Sequence, residues 1–391
     1  MNTQNTPVHI HLWHHDFWRM AIANLLLTMS AYMLIPVLPL WLVERQGMTL
    51  TETGLSMGVF GIGLFLFGMF ASFLVQHYRR NMVCIWAVLG MMGCHALLYY
   101  LDGMDASLCS FSLILLQRLF FGALFGLALM VLASTLIIDT CESFQRTEAN
   151  HSASWFARFS LSLGPLAGLL IYPLFGFKTV LLAAGGCDLL AIILILLVHF
   201  PFRAPDDHVP VVSLDRFFLN HGFVLFVNLL LITIAVGMLL SLALPLQFYS
   251  MVMVGFLLAI VAQRFVFREA ELKSEVVSGL VLMFCAVLMM LTRSQAIVGV
   301  LAPLFIGFGV GIIGSRFLLF YIKLSRHCQR GTSQSTFMLG WESGLAIGIG
   351  VGYAACQGER EVILLSVLIL IIVALMLYQY THSWFIRHKN R

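Results

Sequence analysis

The chain has 391 residues, 60% of them hydrophobic and 10% charged, with a formal net charge of +4. A soluble domain is about 25% charged, so this composition excludes an ordinary soluble enzyme or a nucleic-acid-binding domain. What remains is a polytopic membrane protein, because some twelve apolar runs recur between Phe17 and Phe385, each near the roughly 20 residues a helix needs to cross hydrocarbon.

Before the first run stand His9, His11, His14 and His15. No cysteine or carboxylate cluster completes a metal site around them, so they read as a solvated or headgroup-level stretch. The first predicted span, 17 to 43, lacks a short apolar core ending in a small-residue cleavage site and reads as a retained helix. It carries Asn24 and Tyr32. Spans 52 to 76 and 82 to 101 follow, separated by Arg79 and Arg80, and the third holds His95.

The fourth span, 108 to 138, contains Gln117 and Arg118 and leads to Asp139 and Arg146. The fifth, 152 to 173, contains Arg158, Ser160, Gly164, Pro165 and Gly168, and the sixth, 178 to 199, contains Asp188. A polar connection with Pro201, Pro205, Asp206, Asp207 and Pro210 comes next. Within it, Ser213 to Leu219 predicts a short linking segment on the inner membrane surface, with Ser213 as N-cap.

The second half continues with spans 222 to 244, 247 to 267, 276 to 292, 296 to 322, 331 to 356 and 362 to 386. They include Asn228, Arg316 and Glu342, and the eleventh carries Gly340, Gly344, Gly348 and Gly352. The expected fold is therefore all-α and integral to the membrane, with twelve transmembrane helices in two six-helix bundles. Residues 1–200 and 222–391 form the bundles, and 201–221 the cytoplasmic linker. Placing both termini in the cytoplasm puts fifteen Lys and Arg inside and four outside, the bias that sets orientation. The eight cysteines show no CxxC spacing and read as small hydrophobes.

Two internal similarities support repeats. Leu38-Pro39-Leu40 and Leu244-Pro245-Leu246 end the first and seventh spans. Arg158, Ser160, Gly164 and Gly168 align with Glu342, Gly344, Gly348 and Gly352 at a constant offset of 184. Small residues at every fourth position let helices approach closely, and the ionisable residue two places earlier points about 200° away.

On these residues the chain resembles the major facilitator superfamily over essentially its full length. Arg79 and Arg80 match the basic pair of the family's loop between spans two and three, although Gln76 stands where an Asp is usual. Arg118 with Gly122 and Gly126 resembles the fourth-span motif, whose Arg is associated with proton coupling. Ser160, Gly164, Pro165 and Gly168 resemble the fifth-span motif of antiporters, with Leu169 in place of a final Gly. The resemblance implies alternating access, a small-molecule substrate, protons as coupling ion and a bacterial inner membrane.

Five ionisable groups fall well inside spans: Arg118, Arg158, Asp188, Arg316 and Glu342. A charge at the bilayer centre costs at least about 2.5 kcal/mol on insertion scales, which makes each a functional candidate. Counting residues places Arg118 and Asp188 at a common depth, where they could pair. The same count puts Arg158 and Arg316 roughly 9 Å from the inner side, at 1.5 Å per residue, and Glu342 near the midplane. Glu342 is the expected proton carrier, with Arg316 or Arg158 setting its proton affinity.

Three Arg against two carboxylates favour an anionic or zwitterionic substrate. Asn24, Tyr32, Gln117 and Asn228 are the expected polar cavity residues, His95 a weaker one, and Arg79, Arg80, Asp139 and Arg146 an expected cytoplasmic gate. Neither a catalytic cluster nor a metal, cofactor or nucleotide motif is present in the sequence. The reading is a monomeric proton-coupled exporter of a small organic molecule. The alternatives are an importer or uniporter of an organic anion or metabolite and, further off, a lipid-modifying membrane enzyme.

Overall fold

A computed structural model describes residues 11–104, 110–200, 208–326 and 329–389. His9, Cys109, Cys328 and the linker positions Pro201, Pro205, Asp206 and Asp207 lie outside them. Every regular element among the described residues is helical: α1 (His15–Tyr32), α2 (Leu34–Glu44), α3 (Leu50–Leu66), α4 (Ala71–His77), α5 (Arg80–Asp102), α6 (Phe111–Val131), α7 (Ile137–Asp139), α8 (Arg146–Phe175) and α9 (Phe177–Leu196), then α10 (Phe223–Leu240), α11 (Leu246–Phe265), α12 (Leu272–Thr292), α13 (Val298–Leu324), α14 (Arg330–Ala354) and α15 (Arg360–His388).

Local chemistry sets the breaks. Pro36 has no N–H to offer the carbonyl of residue 32, and the first run divides there at Met33 into α1 and α2. Thr49 and Glu52 form a capping box that starts α3, satisfying N–H groups a helix start leaves open. Between α6 and α7, residues Leu132–Leu136 widen into a π-helical turn.

The helices pack in two matching sets. In the first, α1 lies on α8 and α9, α3 on α6, and α5 on α6 and α9. In the second, α10 lies on α14 and α15, α11 on α13, and α12 on α13 and α15. The sets meet where α3 packs on α14 and α8 on α11. Each contact in the first set thus has a counterpart in the second. The ends carrying Arg80, Arg146, Lys323 and Arg330 gather on one side of the molecule, termed here the basic end.

Eleven helical segments among the described residues are long and apolar enough to cross a membrane. The 25-residue α14 has the length but not the composition: it is rich in Gly, Ser and Thr, and most of it is buried. Its position between α3 and α10 explains this, because a helix covered by other helices needs small packing surfaces more than apolar ones. A Cβ on Gly348 would collide with the Ile234 carbonyl of α10, and one on Gly54 would lie 2.5 Å from the Ala354 nitrogen of α14. Gly164 and Gly168 of α8 pack on Tyr32 and Met33, the kink of α1.

The stretch Ser213 to Leu219 is not a surface helix. It is an irregular strap across both sets at the basic end. Ser213 N–H donates to the Met69 carbonyl at 3.0 Å. Arg216 and Leu219 N–H donate to the hydroxyls of Thr332 and Thr336 on α14, at 2.9 and 2.8 Å. Phe217 lies against Gly68, where no Cβ would fit, and Arg216 adopts a positive φ of 59°.

Candidate functional site

Between the two sets lies a narrow cavity of about 30 Å³, room for two or three waters in this arrangement. Asn24 of α1, Leu129 of α6, Ser154 and Arg158 of α8, and Gln334, Phe337, Met338, Trp341 and Glu342 of α14 line it, with Ala133 from the π-helical turn. A smaller space of about 10 Å³, walled by Leu64, Gly126, Met130 and Ser335, meets it at Leu129, Met338 and Glu342.

The two charges of the cavity come from equivalent places. Arg158 is twelve residues into α8 and Glu342 twelve residues into α14, each about 18 Å along its helix at 1.5 Å per residue. Their glycine ridges turn to α1 and α10, and so both ionisable groups turn inward. Arg158 therefore lies farther from the start of its helix than the sequence count placed it, because α8 begins at Arg146 rather than residue 152.

Both groups are held. The Arg158 guanidinium stacks on Trp155 at 4.2 Å from the ring centroid, within cation–π range. Its Nη1 donates to the Gly311 carbonyl of α13 at 2.9 Å, its Nε to the Ser154 carbonyl at 3.1 Å, and its Nη2 to the Ser154 hydroxyl. Among the described residues no carboxylate pairs with it. Glu342 accepts a 2.8 Å hydrogen bond from the Tyr32 hydroxyl, which links the two sets near the middle of the molecule.

The other expected site residues sit elsewhere. Arg118 and Asp188 do not pair. Asp188, fully buried, lies 3.2 Å from Nδ1 of His95, while Arg118 faces the Phe60 and Phe121 rings at 5.0 and 5.3 Å. The cause is rotational: Gly122 and Gly126 pack on α3, and Arg118 at the same four-residue spacing must face α3 too. Arg316 does not approach Glu342 but binds Glu275 of α12 at 2.6 Å. Gln117 donates to the Cys94 carbonyl and Asn228 to the Ala374 carbonyl, so both join helices outside the cavity.

At the basic end Arg80 pairs with Asp139. Both belong to the first set, so this pair does not bridge the sets as a gate would. Arg79 precedes α5 and Arg146 opens α8 at the same end. The side-chain link that crosses there joins His151 of α8 to Ser315 of α13 at 2.7 Å, and Ser315 continues to Gln263 of α11 at 3.2 Å.

Sequence reasoning passed over Ser154, Gln334, Glu275 and Trp341. Ser154 was within reach, standing four residues before Arg158 on the same helix face. Glu275 fell one residue outside its assigned span.

Comparison with known proteins adds the following. A family model described as Major Facilitator Superfamily matches residues 20–349. No curated protein sequence matches the chain. Solved structures with the same fold include the human organic anion transporter MFSD10 (TETRAN), at 15% identity and a TM-score of 0.66 over 92% of this chain and 98% of that one. A bacterial homologue of the iron transporter ferroportin, in an outward-facing state, matches at 16% identity and a TM-score of 0.65 over 95% and 100%. The nucleoside transporter NupG matches at 11% and 0.66 over 94% and 99%.

Proposed function

Because the chain belongs to the major facilitator superfamily, we propose that it is a secondary transporter that exports a small organic molecule by alternating access, in exchange for protons. The observation that carries this reading is the cavity between the two helix sets, with Arg158 on one wall and Glu342 on the other. A carboxylate inside the membrane is neutralised by taking a proton or compensated by a counter-ion, and exchanging one for the other couples the two. Arg158, hydrogen-bonded through all three nitrogens and stacked on Trp155, is the fixed charge, and Glu342 is the group that trades.

In this reading α14 also crosses the membrane, as the eleventh of twelve spans. Residues 1–200 and 222–391 are the two rocking bundles, 201–221 joins them, and the basic end faces the cytoplasm of a bacterial inner membrane. The protein acts as a monomer, since the substrate path lies between the halves of one chain. Rocking about the α3–α14 and α8–α11 faces would expose the cavity alternately. Asp188, Arg118 and Arg316 support the helices rather than the exchange.

The test uses inside-out vesicles energised to an acidic lumen, with a pH-sensitive dye and a panel of organic compounds. Proton release on addition of a compound is expected from the wild-type protein and not from Glu342→Gln, which retains a hydrogen-bonding side chain for Tyr32. Release that persists in the variant would remove Glu342 from the mechanism. A second reading, an importer or uniporter of an organic anion, draws on the absence, among the described residues, of a carboxylate partner for Arg158. Substrate uptake that ignores the pH gradient would select it.

A further inference from the structure

The hydrogen-bonding groups of the cavity are unequally committed. All three nitrogens of Arg158 already donate to the protein, to the Ser154 carbonyl, the Gly311 carbonyl and the Ser154 hydroxyl. The acceptors are not so occupied. Asn24 commits Nδ2 to the Ala153 carbonyl at 3.1 Å, which fixes its amide orientation, and its buried Oδ1 has no partner. Gln334 likewise has a buried, unpartnered Oε1. Glu342 uses one oxygen on Tyr32 and has a second to offer. Buried acceptors without donors are costly and rare, and two of them line one cavity beside the carboxylate. Beside them stand Phe337 and Trp341, ring centroids 5.8 Å apart, whose faces attract cations.

We infer that the transported molecule is an organic cation: a protonated amine with at least two N–H donors and an apolar or aromatic body. The inference rests on the reading of this cavity as the transport site. The ammonium lies between Glu342 and Asn24, and the body lies on Phe337, Met338 and Trp341. Three of the five N–H donors of Arg158 are given to α8 and α13, and an anion would also meet the Glu342 carboxylate and the unpartnered oxygens of Asn24 and Gln334.

Arg158 then has a coupling role. With Glu342 protonated, the cavity holds one positive charge, that of Arg158. With Glu342 ionised and a monovalent amine bound, it holds the same one. Proton and amine together would place two positive charges in a medium where like charges repel strongly. The fixed guanidinium therefore makes the two cations mutually exclusive and sets the exchange at one for one. The only bond broken is the carboxyl O–H, its proton leaving as the ammonium enters.

Few other charges face Glu342. Tyr32 approaches from α1, and Arg158 of α8 lines the same cavity. No charged residue lies on α10, and the acid of α3, Glu52, is in its first turn at the far end. Arg118 of α6 is stacked on α3, and Arg316 of α13 is paired with Glu275.

The experiment is titration calorimetry of the full chain in lipid nanodiscs, in two buffers of different ionisation enthalpy across a pH series. The probes are aromatic primary amines beginning with phenethylamine, its trimethylated quaternary analogue, and phenylpropionate as the anionic counterpart. The amine should bind with up to one proton released per site. The quaternary analogue, which has no N–H, should bind about tenfold more weakly, and Asn24→Ala should cost the amine a similar factor without changing proton release, each the loss of about one charged hydrogen bond.

Preferential binding of phenylpropionate, equal binding of the quaternary analogue, amine binding without proton release, or no binding across the amine series would each overturn the inference. The vesicle assay separates this failure from that of the proposed function. Anion-driven proton release that requires Glu342 removes the amine and keeps the exchanger. Amine binding with proton release but without flux keeps the site chemistry and removes transport.

Discussion

The Tyr32 hydroxyl donates a 2.8 Å hydrogen bond to the Glu342 carboxylate, joining the kinked end of α1 to the middle of α14. Both side chains are buried, so the bond reports whether the two helix sets are together at this level. Hydrogen bonds to charged groups contribute about 1.5–3 kcal/mol. Tyr32→Phe keeps the Cβ and backbone packed on Gly164 and removes only the donor. It should lower the thermal unfolding midpoint and speed exchange at Glu342, because the closed arrangement loses a cross-set contact. An unchanged midpoint with unchanged exchange kinetics would show that the bond does not contribute to closure.

The glycines of the α3–α14 face make a conformational prediction. A Cβ on Gly54 would meet the Ala354 backbone nitrogen at 2.5 Å, and backbone cannot swing aside as a side chain can. Gly54→Ala should therefore hold the two sets apart at the end opposite the basic end. Labelling of a cysteine introduced near residue 354 by a membrane-impermeant reagent should rise relative to a Gly185→Ala control, since nothing lies within 4 Å of a Cβ at Gly185. Equal labelling in the two backgrounds would mean that this face does not close as tightly as its packing implies.

How far the sequence revealed the site follows from what a one-dimensional pattern encodes. The alignment of Arg158 with Glu342 was legible because small residues every fourth position mark one helix face, which fixes the opposite one. Position along the helix was not legible, because five of the first six residues of α8 are polar and all six were set aside as loop, although Ala149 and Asn150 are buried among helices. The partner of Asp188 was not legible either. Residue counting placed Arg118 at its level, yet rotation about each helix axis depends on packing, and that packing gave Asp188 to His95. For α14 the polar composition that weakens it as a membrane span reflects its covered position between α3 and α10.

The Arg316–Glu275 pair is expected to be structural. Its atoms are 2.6 Å apart, with Glu275 almost wholly buried. Removing one member of a buried pair leaves an uncompensated charge at about 3–5 kcal/mol, whereas removing both can be nearly neutral. Glu275→Gln and Arg316→Gln should each reduce the yield of folded protein, and the double variant should recover much of it while retaining transport. Additive losses in this cycle, or normal folding with lost proton coupling in Arg316→Gln alone, would return Arg316 to the exchange machinery.

The strap of residues 213–219 should do more than tether the two bundles. Its backbone N–H groups bond to Met69 on one side and to Thr332 and Thr336 on the other. The Thr332 hydroxyl also donates to Asp215 at 3.3 Å, and Phe217 closes the space over Gly68. Because these contacts reach α3's continuation and α14 together, they must loosen if the two sets separate at the basic end. Truncating a buried Phe to Ala costs about 3–5 kcal/mol when all its packing is lost. Phe217→Ala should therefore destabilise the arrangement seen here relative to one open at the basic end, raising reagent access to a cysteine at Ser154 in the cavity. Val212→Ala, at an exposed position just before the strap, should leave access unchanged. A Phe217→Ala protein that unfolds earlier but shows no gain in cavity access would mean that the strap holds the fold without biasing its conformations, since a bias between states must appear as a population shift.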